Sequence, residues 1–216
     1  MAQSKFASGF KSRIQEKYIE LGYTLGWRLL YSPEAVLERA RVAFVGLNPG
    51  GNHAPADHAE FAMESGSAYA QERWGKPPGQ STLQRQVLRL FEIVGEPPAD
   101  VLAGNLVPFR SPSWEMLGSK DQALRLGRNI WEEILAHTRP QLVIGMGGST
   151  WPVLKQLLRV DSVQQELVGW GSVRGERGTF EGGTFVGLPH LSRIAIETRK
   201  ESQQGLQTLL GKHYCQ

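Results

Sequence analysis

The sequence predicts an α/β fold in which helices cover both faces of a central, mainly parallel sheet. Short apolar runs that suit buried strands alternate along the chain with longer stretches whose apolar residues recur at helical spacing. Several of the apolar runs stop at glycine-rich turns. Because 216 residues are enough for one domain with a full core, we expect residues 1–216 to form a single α/β/α sandwich.

The first half of the chain is predicted to hold two helices and two strands around a long loop. Residues 10–30 mix apolar and charged side chains as an amphipathic helix does, and residues 41–46 are typical of a buried strand. Residues 48–80 are rich in glycine, proline and alanine without a clear period, and a loop of that length is usually functional. A helix over 81–95, capped by its first serine, precedes a second strand at 101–107.

The second half is predicted to continue the alternation of helices and strands. Its predicted elements are a helix at 121–138, a strand at 141–146, a turn and helix at 147–158, hairpins within 166–185, a strand at 184–188 and a helix at 196–210. In open sheets of this kind, ligands bind beyond the carboxyl ends of the strands. The segments that come directly after the predicted strands are therefore the first candidates for a site.

Composition excludes several kinds of protein. The only cysteine, Cys215, has no partner for an internal disulfide and supplies no ligand set for an iron–sulfur cluster or zinc ribbon. No run of 18 apolar residues is present, and the first residues lack the apolar stretch of a secretory signal, so we expect a cytoplasmic protein without a membrane partner. The formal net charge of +3 permits a polyanionic partner without requiring one.

Motifs with a central asparagine come after the first two predicted strands. GLNPGG at 46–51 brings backbone close to a ligand and fixes the side chain of Asn48, although a plain turn has the same composition. GNLVPFR at 104–110 sets Asn105 at a strand end. An amide that both donates and accepts suits the edge of a pyrimidine, and it suits a cap on the strand equally well.

Two further motifs come after the later strands. GMGGST at 145–150 offers free N–H groups and hydroxyls at a helix start, which suit a phosphate. Tight strand-to-helix turns share this pattern, and the motif alone favours that simpler interpretation. GLPHLSR at 187–193 holds His190 beside a proline, a serine and an arginine, where catalytic and structural roles are equally open.

In this order, the four motifs resemble those of the uracil-DNA glycosylase superfamily, most closely its single-strand-selective monofunctional and mismatch-specific branches. GLNPG is similar to the motif that activates water, and NLVPF to the strand end with the base-reading asparagine. GGS resembles the loop that grips a DNA phosphate, and HLS resembles the second catalytic motif. Phe61, thirteen residues after Asn48, matches an aromatic residue that stacks on the flipped base. The resemblance spans about residues 41–193.

The resemblance implies a monofunctional DNA glycosylase that flips uracil or a related damaged or modified base out of DNA and hydrolyses its N-glycosidic bond. We expect a monomer that acts on single- or double-stranded DNA without cofactor or metal, leaves an abasic site and does not cleave the strand. The residues implied to be catalytic are Asn48 and His190. The residues implied to contact the base are Gly46, Leu47, Phe61 and Asn105. The residues implied to contact DNA are Gly148, Ser149, Ser192, Arg193 and Ile194.

The chain departs from the family pattern in the loop after the second catalytic motif. Leu191 stands where the family has proline, which implies a loop of another shape. In this family a side chain just past that motif plugs the hole that the flipped base leaves in the stack. The candidates for this wedge are Leu191, Arg193 and Ile194.

Other departures concern the chemistry and the size of the base. Asn48 replaces the aspartate of the most active branch, which implies slower or broader chemistry. Residues 51–76, with His53, His58 and Trp74, have no counterpart in the family and are a candidate pocket for something larger than uracil. Uracil, a damaged pyrimidine, a deaminated purine and a hypermodified phage base all stay open as substrates.

Two rival interpretations of the motifs remain at this point. The first is a protein of the same fold that binds nucleic acid without catalysis. The second is a small-molecule enzyme that uses the GLNPGG and GMGGST loops to bind phosphates. DNA binding that weakens strongly with salt would separate the DNA-binding interpretations from the small-molecule one.

Overall fold

A six-stranded sheet forms the centre of the structure, a computed structural model that describes residues 5–52 and 61–215. Its strands are β1 (Val42–Gly46), β2 (Leu102–Asn105), β3 (Leu142–Met146), β4 (Asp161–Leu167), β5 (Arg174–Phe180) and β6 (Gly183–Leu188). They lie in the spatial order β2-β1-β3-β6-β5-β4. The first four of this order are parallel, and β5 and β4 continue the sheet in antiparallel pairing. The prediction of an α/β fold with a mostly parallel sheet is confirmed.

Helices cover this sheet from both sides. The α-helices of the described residues are α1 (Lys5–Glu20), α2 (Ala68–Gln71), α3 (Thr82–Ile93), α4 (Lys120–Thr138), α5 (Trp151–Leu158) and α6 (Gln203–Leu210). Side chains of β1 alternate, so Ala43 and Val45 join the buried cluster beneath α1 and α4, while Val42 and Phe44 join the cluster beneath α3 and α6. None of these helices has the length and apolar character needed to cross a membrane.

Strong local signals in the sequence predict several elements correctly. The strands predicted at 41–46 and 141–146 and the helix predicted at 121–138 agree with β1, β3 and α4 to within one residue. At the start of α3, the Ser81 hydroxyl accepts a hydrogen bond from the Gln84 N–H at 3.2 Å, and the Gln84 side chain accepts one from the Ser81 N–H at 3.1 Å. This reciprocal cap fixes the first turn of the helix, and the Gln84 side chain also donates to the Glu72 carbonyl oxygen at 2.7 Å.

The prediction of a helix over 10–30 is wrong in its second half. The helix ends at Glu20, because Gly22 adopts a φ of 68° that continues no right-handed helix. The chain then runs in extended form, and Leu30 pairs with Gly104 beside β2. Tertiary pairing with an edge strand therefore outweighs the helical spacing of the apolar residues.

Two predicted boundaries near the C-terminus are also wrong. The helix expected over 196–210 is present only in its second half, as α6. Ile196 is buried in an irregular segment, which a 3₁₀ turn, Lys200–Ser202, connects to α6. The hairpin expected from residue 166 begins earlier, at Asp161. Nearly all of β4 is exposed, so it lacks the apolar alternation by which a strand is recognised.

Within the described residues of 48–80, the prediction of an irregular loop is right except for α2. His53 and His58, named in that segment as part of a candidate pocket, lie outside the described residues. Trp74 is described, and its ring packs against those of Tyr31 and Tyr69.

Candidate active site

The carboxyl ends of the four parallel strands form one edge of the sheet, and a predicted motif comes after each of them. Gly46 of β1 lies in register with Asn105 of β2, and Met146 of β3 lies in register with Leu188 of β6. Main-chain hydrogen bonds continue the pairing past the strands, from the Val107 N–H to the Leu47 carbonyl oxygen and from the Gly147 N–H to the Leu188 carbonyl oxygen, each at 2.8 Å. The sheet thereby gathers all four loops into one region.

The side chain of Asn48 is held through its Nδ2 group. Its Nδ2 group donates to Ser111 Oγ at 2.8 Å and to the carbonyl oxygens of Pro49 and Phe109, each at 3.3 Å. The Ser111 hydroxyl donates in turn to the carbonyl oxygen of Ser113, so it accepts from Asn48. Within the described residues, Oδ1 of Asn48 accepts no hydrogen bond, and it is available to a donor such as water.

Asn105 lies beside Gly46 at the end of the neighbouring strand. A Cβ atom on Gly46 would lie 2.9 Å from Asn105 Oδ1, so the absence of a side chain at Gly46 is what makes room for the amide. Asn105 is only 4% exposed, and its Nδ2 has no hydrogen-bond partner among the described residues. An unsatisfied buried amide costs free energy, so this group calls for a ligand or a bound water.

Polar side chains that the sequence did not single out surround this amide. Arg28 is fully buried, and its Nη1 lies 2.6 Å from Glu72 Oε1. Burial raises the pKa of Tyr31, although the Asn105 amide and the guanidinium groups of Arg28 and Arg110 act in the opposite direction. Tyr31 and Asn105 are thus close enough to interact, without the geometry of a hydrogen bond to Nδ2. One feature of the sequence could have indicated Arg28 as a site residue. It is the single charged residue of the apolar segment WRLLY, in the stretch predicted to be a helix.

His190 lies just past β6, and Ser192 determines which of its ring nitrogens carries the proton. The Ser192 N–H donates to His190 Nδ1 at 3.4 Å, and Ser192 Oγ lies 2.8 Å from the same atom. Because a main-chain N–H only donates, Nδ1 must accept, and the neutral ring carries its hydrogen on Nε2. Partial burial of the ring lowers the pKa of His190, and the charge of Arg193 lowers it further. At neutral pH the ring is therefore an uncharged Nε2–H donor.

The loop between β3 and α5 lies against this histidine. A Cβ atom on Gly147 would lie 3.7 Å from Cδ2 of the His190 ring. Gly148 and Ser149 come next, at the exposed start of α5, and within the described residues neither main-chain N–H donates to a main-chain acceptor. Thr150 closes the turn by donating to the Gly147 carbonyl oxygen at 2.8 Å. Free N–H groups at a helix start suit an anion, here within reach of the histidine loop.

No protein-family model matches this chain, and no curated protein matches its sequence. The chemistry of the site is therefore inferred from its own side chains. Within the described residues, no three His, Cys, Asp or Glu side chains gather where they could hold a metal ion. The Arg28–Glu72 ion pair lies near Tyr31, and the side chains at the strand ends themselves are neutral amides, a neutral imidazole and hydroxyl groups. Such groups orient, donate and accept without carrying charge of their own.

Phe61 is described, but its ring is not open to a base. It is 4% exposed and lies in the buried cluster beneath α1, with the ammonium nitrogen of Lys11 5.0 Å from the ring centroid. Its carbonyl oxygen accepts from the Leu30 N–H at 2.8 Å, which holds the residue beside the extended segment after α1. Stacking on a flipped base would require these neighbours to move, so the predicted role of Phe61 stays a prediction.

The candidates for the wedge differ sharply in exposure. Leu191 is fully buried, so the prediction that it could fill the gap in DNA is wrong. Ile194 is half-buried against the cluster beneath α3 and α6. Arg193 and Ser192 are exposed, and the Arg193 N–H donates to the His190 carbonyl oxygen at 2.9 Å. Of the three candidates, only Arg193 extends freely from the loop.

Proposed function

We propose that this chain is a monofunctional DNA glycosylase of the uracil-DNA glycosylase type, which flips a damaged or modified base out of DNA and hydrolyses its N-glycosidic bond. One observation carries the proposal. Three groups lie at or just past strands that end at the same edge of the sheet: an uncharged donor on His190 and, with no partner among the described residues, the buried Nδ2 of Asn105 and the carbonyl of Asn48. As part of the proposal, the enzyme works in the cytoplasm as a monomer, without a cofactor.

Asn105 is proposed to read the base. A base inside a duplex is inaccessible, so it must first be unstacked into a pocket. The buried amide of Asn105 then gains the hydrogen bonds that it lacks within the described protein. A site whose amide is satisfied only by the right base rejects bases that leave it unpaired, and such rejection is stronger than an apolar pocket provides.

His190 is proposed to stabilise the departing base. As the bond between C1′ of the sugar and the base nitrogen breaks, its electron pair leaves with the base and negative charge develops on a base oxygen. The Nε2–H of a neutral imidazole can donate to that oxygen. The lowered pKa of His190 keeps the ring neutral at pH 7, so its role is to donate a hydrogen bond rather than to transfer a proton.

Asn48 is proposed to hold the attacking water through Oδ1. An amide is no base at neutral pH, so the water attacks a sugar that has already become oxocarbenium-like. A new bond joins the water oxygen to C1′, and the proton that the water loses balances the charge of the departed base. Three hydrogen bonds from Nδ2 fix the direction of Oδ1, which supports a positioning role.

The turn before α5 and the loop after His190 are proposed to hold the DNA backbone. The N–H groups of Gly148 and Ser149, which donate to no main-chain acceptor within the described residues, suit one phosphate, and the exposed side chain of Arg193 suits another. Ser192 could join the second phosphate only by giving up the hydrogen bond from its hydroxyl to His190 Nδ1. The net charge of +3 is small, so these few directed contacts, rather than a broad basic surface, would provide most of the affinity for DNA.

The proposal is tested by a product screen. Oligonucleotides with uracil, damaged pyrimidines, deaminated purines or hypermodified bases are incubated with the protein, and mass spectrometry identifies any free base. We expect one class of base to be released and an abasic site to remain. Salt-sensitive DNA binding without release of any base would favour the non-catalytic alternative, and absence of DNA binding would favour a small-molecule enzyme.

A further inference from the structure

The 3₁₀ turn Trp114–Met116, in the loop after β2, presents an isolated apolar side chain to solvent. Met116 is 70% exposed, more than any other large apolar residue of the described chain. Its neighbours are held in place, because Leu117 is buried and Trp114 packs against the cluster beneath α1 and α4. Single exposed apolar residues are common, so the position of Met116 decides its meaning.

Hydrogen bonds connect this turn to the candidate active site. Asn48 Nδ2 donates to the Ser111 hydroxyl at 2.8 Å, and that hydroxyl donates to the Ser113 carbonyl oxygen at 2.8 Å. The same carbonyl oxygen accepts from the Met116 N–H at 3.2 Å. On the other side of the turn, the Tyr23 hydroxyl donates to the Gly118 carbonyl oxygen at 2.6 Å. Met116 is therefore mounted on a fixed support that starts at Asn48.

The turn also lies within electrostatic reach of the loop after His190. The main-chain N–H of Glu115, the Ser113 hydroxyl and the charges of Lys120 and Arg193 all lower the pKa of the Glu115 carboxyl group. The charge of Arg193 therefore acts on this turn, which places the turn and the loop after His190 in the same region of the molecule. The two cations also offset the charge of Glu115, which would otherwise repel a DNA phosphate.

We propose that Met116 is the wedge that enters the base stack and fills the gap left by a flipped base. This inference rests on the proposed function. Apolar side chains, methionine among them, wedge between bases in many DNA complexes, and the long, unbranched thioether adapts to irregular gaps. Because Leu191 is buried and Ile194 half-buried, the loop after His190 has no free apolar side chain for this task. Arg193 is then left to hold a phosphate, as proposed above.

The inference is tested by comparing three DNA probes. They are a duplex with one tetrahydrofuran abasic analogue, the same duplex intact, and the single strand that carries the analogue. The protein variants are wild type, Met116→Ala, Met116→Leu and Ile19→Ala. Ile19 is the matched control, because it is 68% exposed on α1 and lies outside the four loops of the site.

We expect wild type to bind the abasic duplex more tightly than the intact one. Met116→Ala should reduce this preference about tenfold, as expected if most of the burial of one methionine side chain is lost. Met116→Leu should keep most of the preference, and Ile19→Ala all of it. Affinity for the single strand should be the same in all four proteins, because a single strand has no opposing stack to fill.

Several outcomes would overturn the wedge. They are a Met116→Ala variant that behaves like Ile19→Ala, an equal loss of affinity for all three probes, and a wild-type protein that releases a base but does not prefer the abasic duplex. A wild-type protein that neither binds DNA nor releases a base contradicts the proposed function, and the wedge with it. Equal melting temperatures of wild type and Met116→Ala are expected, since the side chain is exposed.

Discussion

The parallel and antiparallel parts of the sheet differ in burial and in the loops that their strands lead into. Every residue of β1 and β3 is buried, whereas six of the seven residues of β4 are exposed and the seventh is half-buried. Parallel strands need crossover helices, and these helices bury both faces of the sheet. The edge strand β4 is joined to β5 in an antiparallel pair, which needs no crossover helix. Parallel strands also end on the same side, so their loops converge. The parallel part therefore builds the candidate site, and the antiparallel part extends and supports it.

Ion pairing reflects the same division. Lys155 of α5 lies 2.6 Å from Glu176 of β5, and Gln165 of β4 donates to the same carboxylate at 3.3 Å. At the candidate site, Asn48 makes neutral hydrogen bonds with Ser111 and main-chain carbonyls, and the ion pair of Arg28 with Glu72 lies farther back, near Tyr31. Substitutions should therefore change chemistry at the parallel edge and stability in the antiparallel part.

The largest effect is expected from His190→Ala. Removing a hydrogen bond to a developing anion should slow the chemical step by about 10²–10³-fold, while DNA affinity changes little. Single-turnover base release and DNA binding measured side by side separate the two effects. His213→Ala, at a histidine near the C-terminus, is the control and should leave the rate unchanged. A loss confined to affinity would mean that His190 only binds DNA.

Asn48→Ala should have the next largest effect, a loss in turnover of about 10²-fold, the order expected when a reacting group is no longer held in position. The expected reason is loss of the water that Oδ1 holds, so DNA binding should survive. Gln164→Ala is the matched control, since it removes an amide from exposed β4 at the far edge of the sheet. Unchanged turnover at saturating DNA would remove Asn48 from the mechanism.

Glu197 gives a pH-dependent effect on stability. Burial raises the pKa of its carboxyl group to about 8, so the folded protein binds a proton that the unfolded chain has released between about pH 4.5 and 8. Stability is therefore lost as the pH rises through this window. At pH 8, the free energy of unfolding of Glu197→Gln should exceed that of wild type by on the order of 1–3 kcal/mol, so the variant is the more stable protein. Below pH 5 the two free energies should differ little.

Urea unfolding of wild type and Glu197→Gln at several pH values measures this difference, because other titrating groups contribute equally to both proteins. Glu197 is buried in the segment after the His190 loop, and its N–H donates to Gln86 Oε1 at 3.0 Å. A stability difference that stays constant from pH 5 to 8 would contradict a buried, protonated carboxyl group at this position.

The smallest effect is expected from Lys155→Met, in the antiparallel part. It leaves the mostly buried carboxylate of Glu176 without its cation, and the free energy of unfolding should fall by about 1–2 kcal/mol. This is less than for a fully buried pair, because about a quarter of the Lys155 side chain is exposed. Arg39→Ala, which breaks an exposed pair with Asp100, should cost less. A large loss of turnover in Lys155→Met would contradict the division between the two parts.

Helices and strands could be predicted from the sequence where residues close together in the chain decide the local structure. An unbroken apolar run predicted β1, and a capping serine at Ser81 predicted the start of α3. Prediction failed where a distant segment decides the outcome. Arg28 is buried by pairing with Glu72, 44 residues away, and no local pattern indicates that partner. Exposed β4 was missed in part because its side chains show no alternation.

The sequence by itself determined the α/β class and the order of four polar motifs after four strands, because strand runs, caps and glycine turns act over a few residues. Only the tertiary structure decided which side chains are free to act. In the tertiary structure, Nδ2 of Asn48 is engaged by Ser111, the Asn105 amide is buried without a partner among the described residues, and Phe61 and Leu191 are buried. The physical reason is that burial and hydrogen-bond satisfaction depend on contacts between segments far apart in the chain, which no local pattern records.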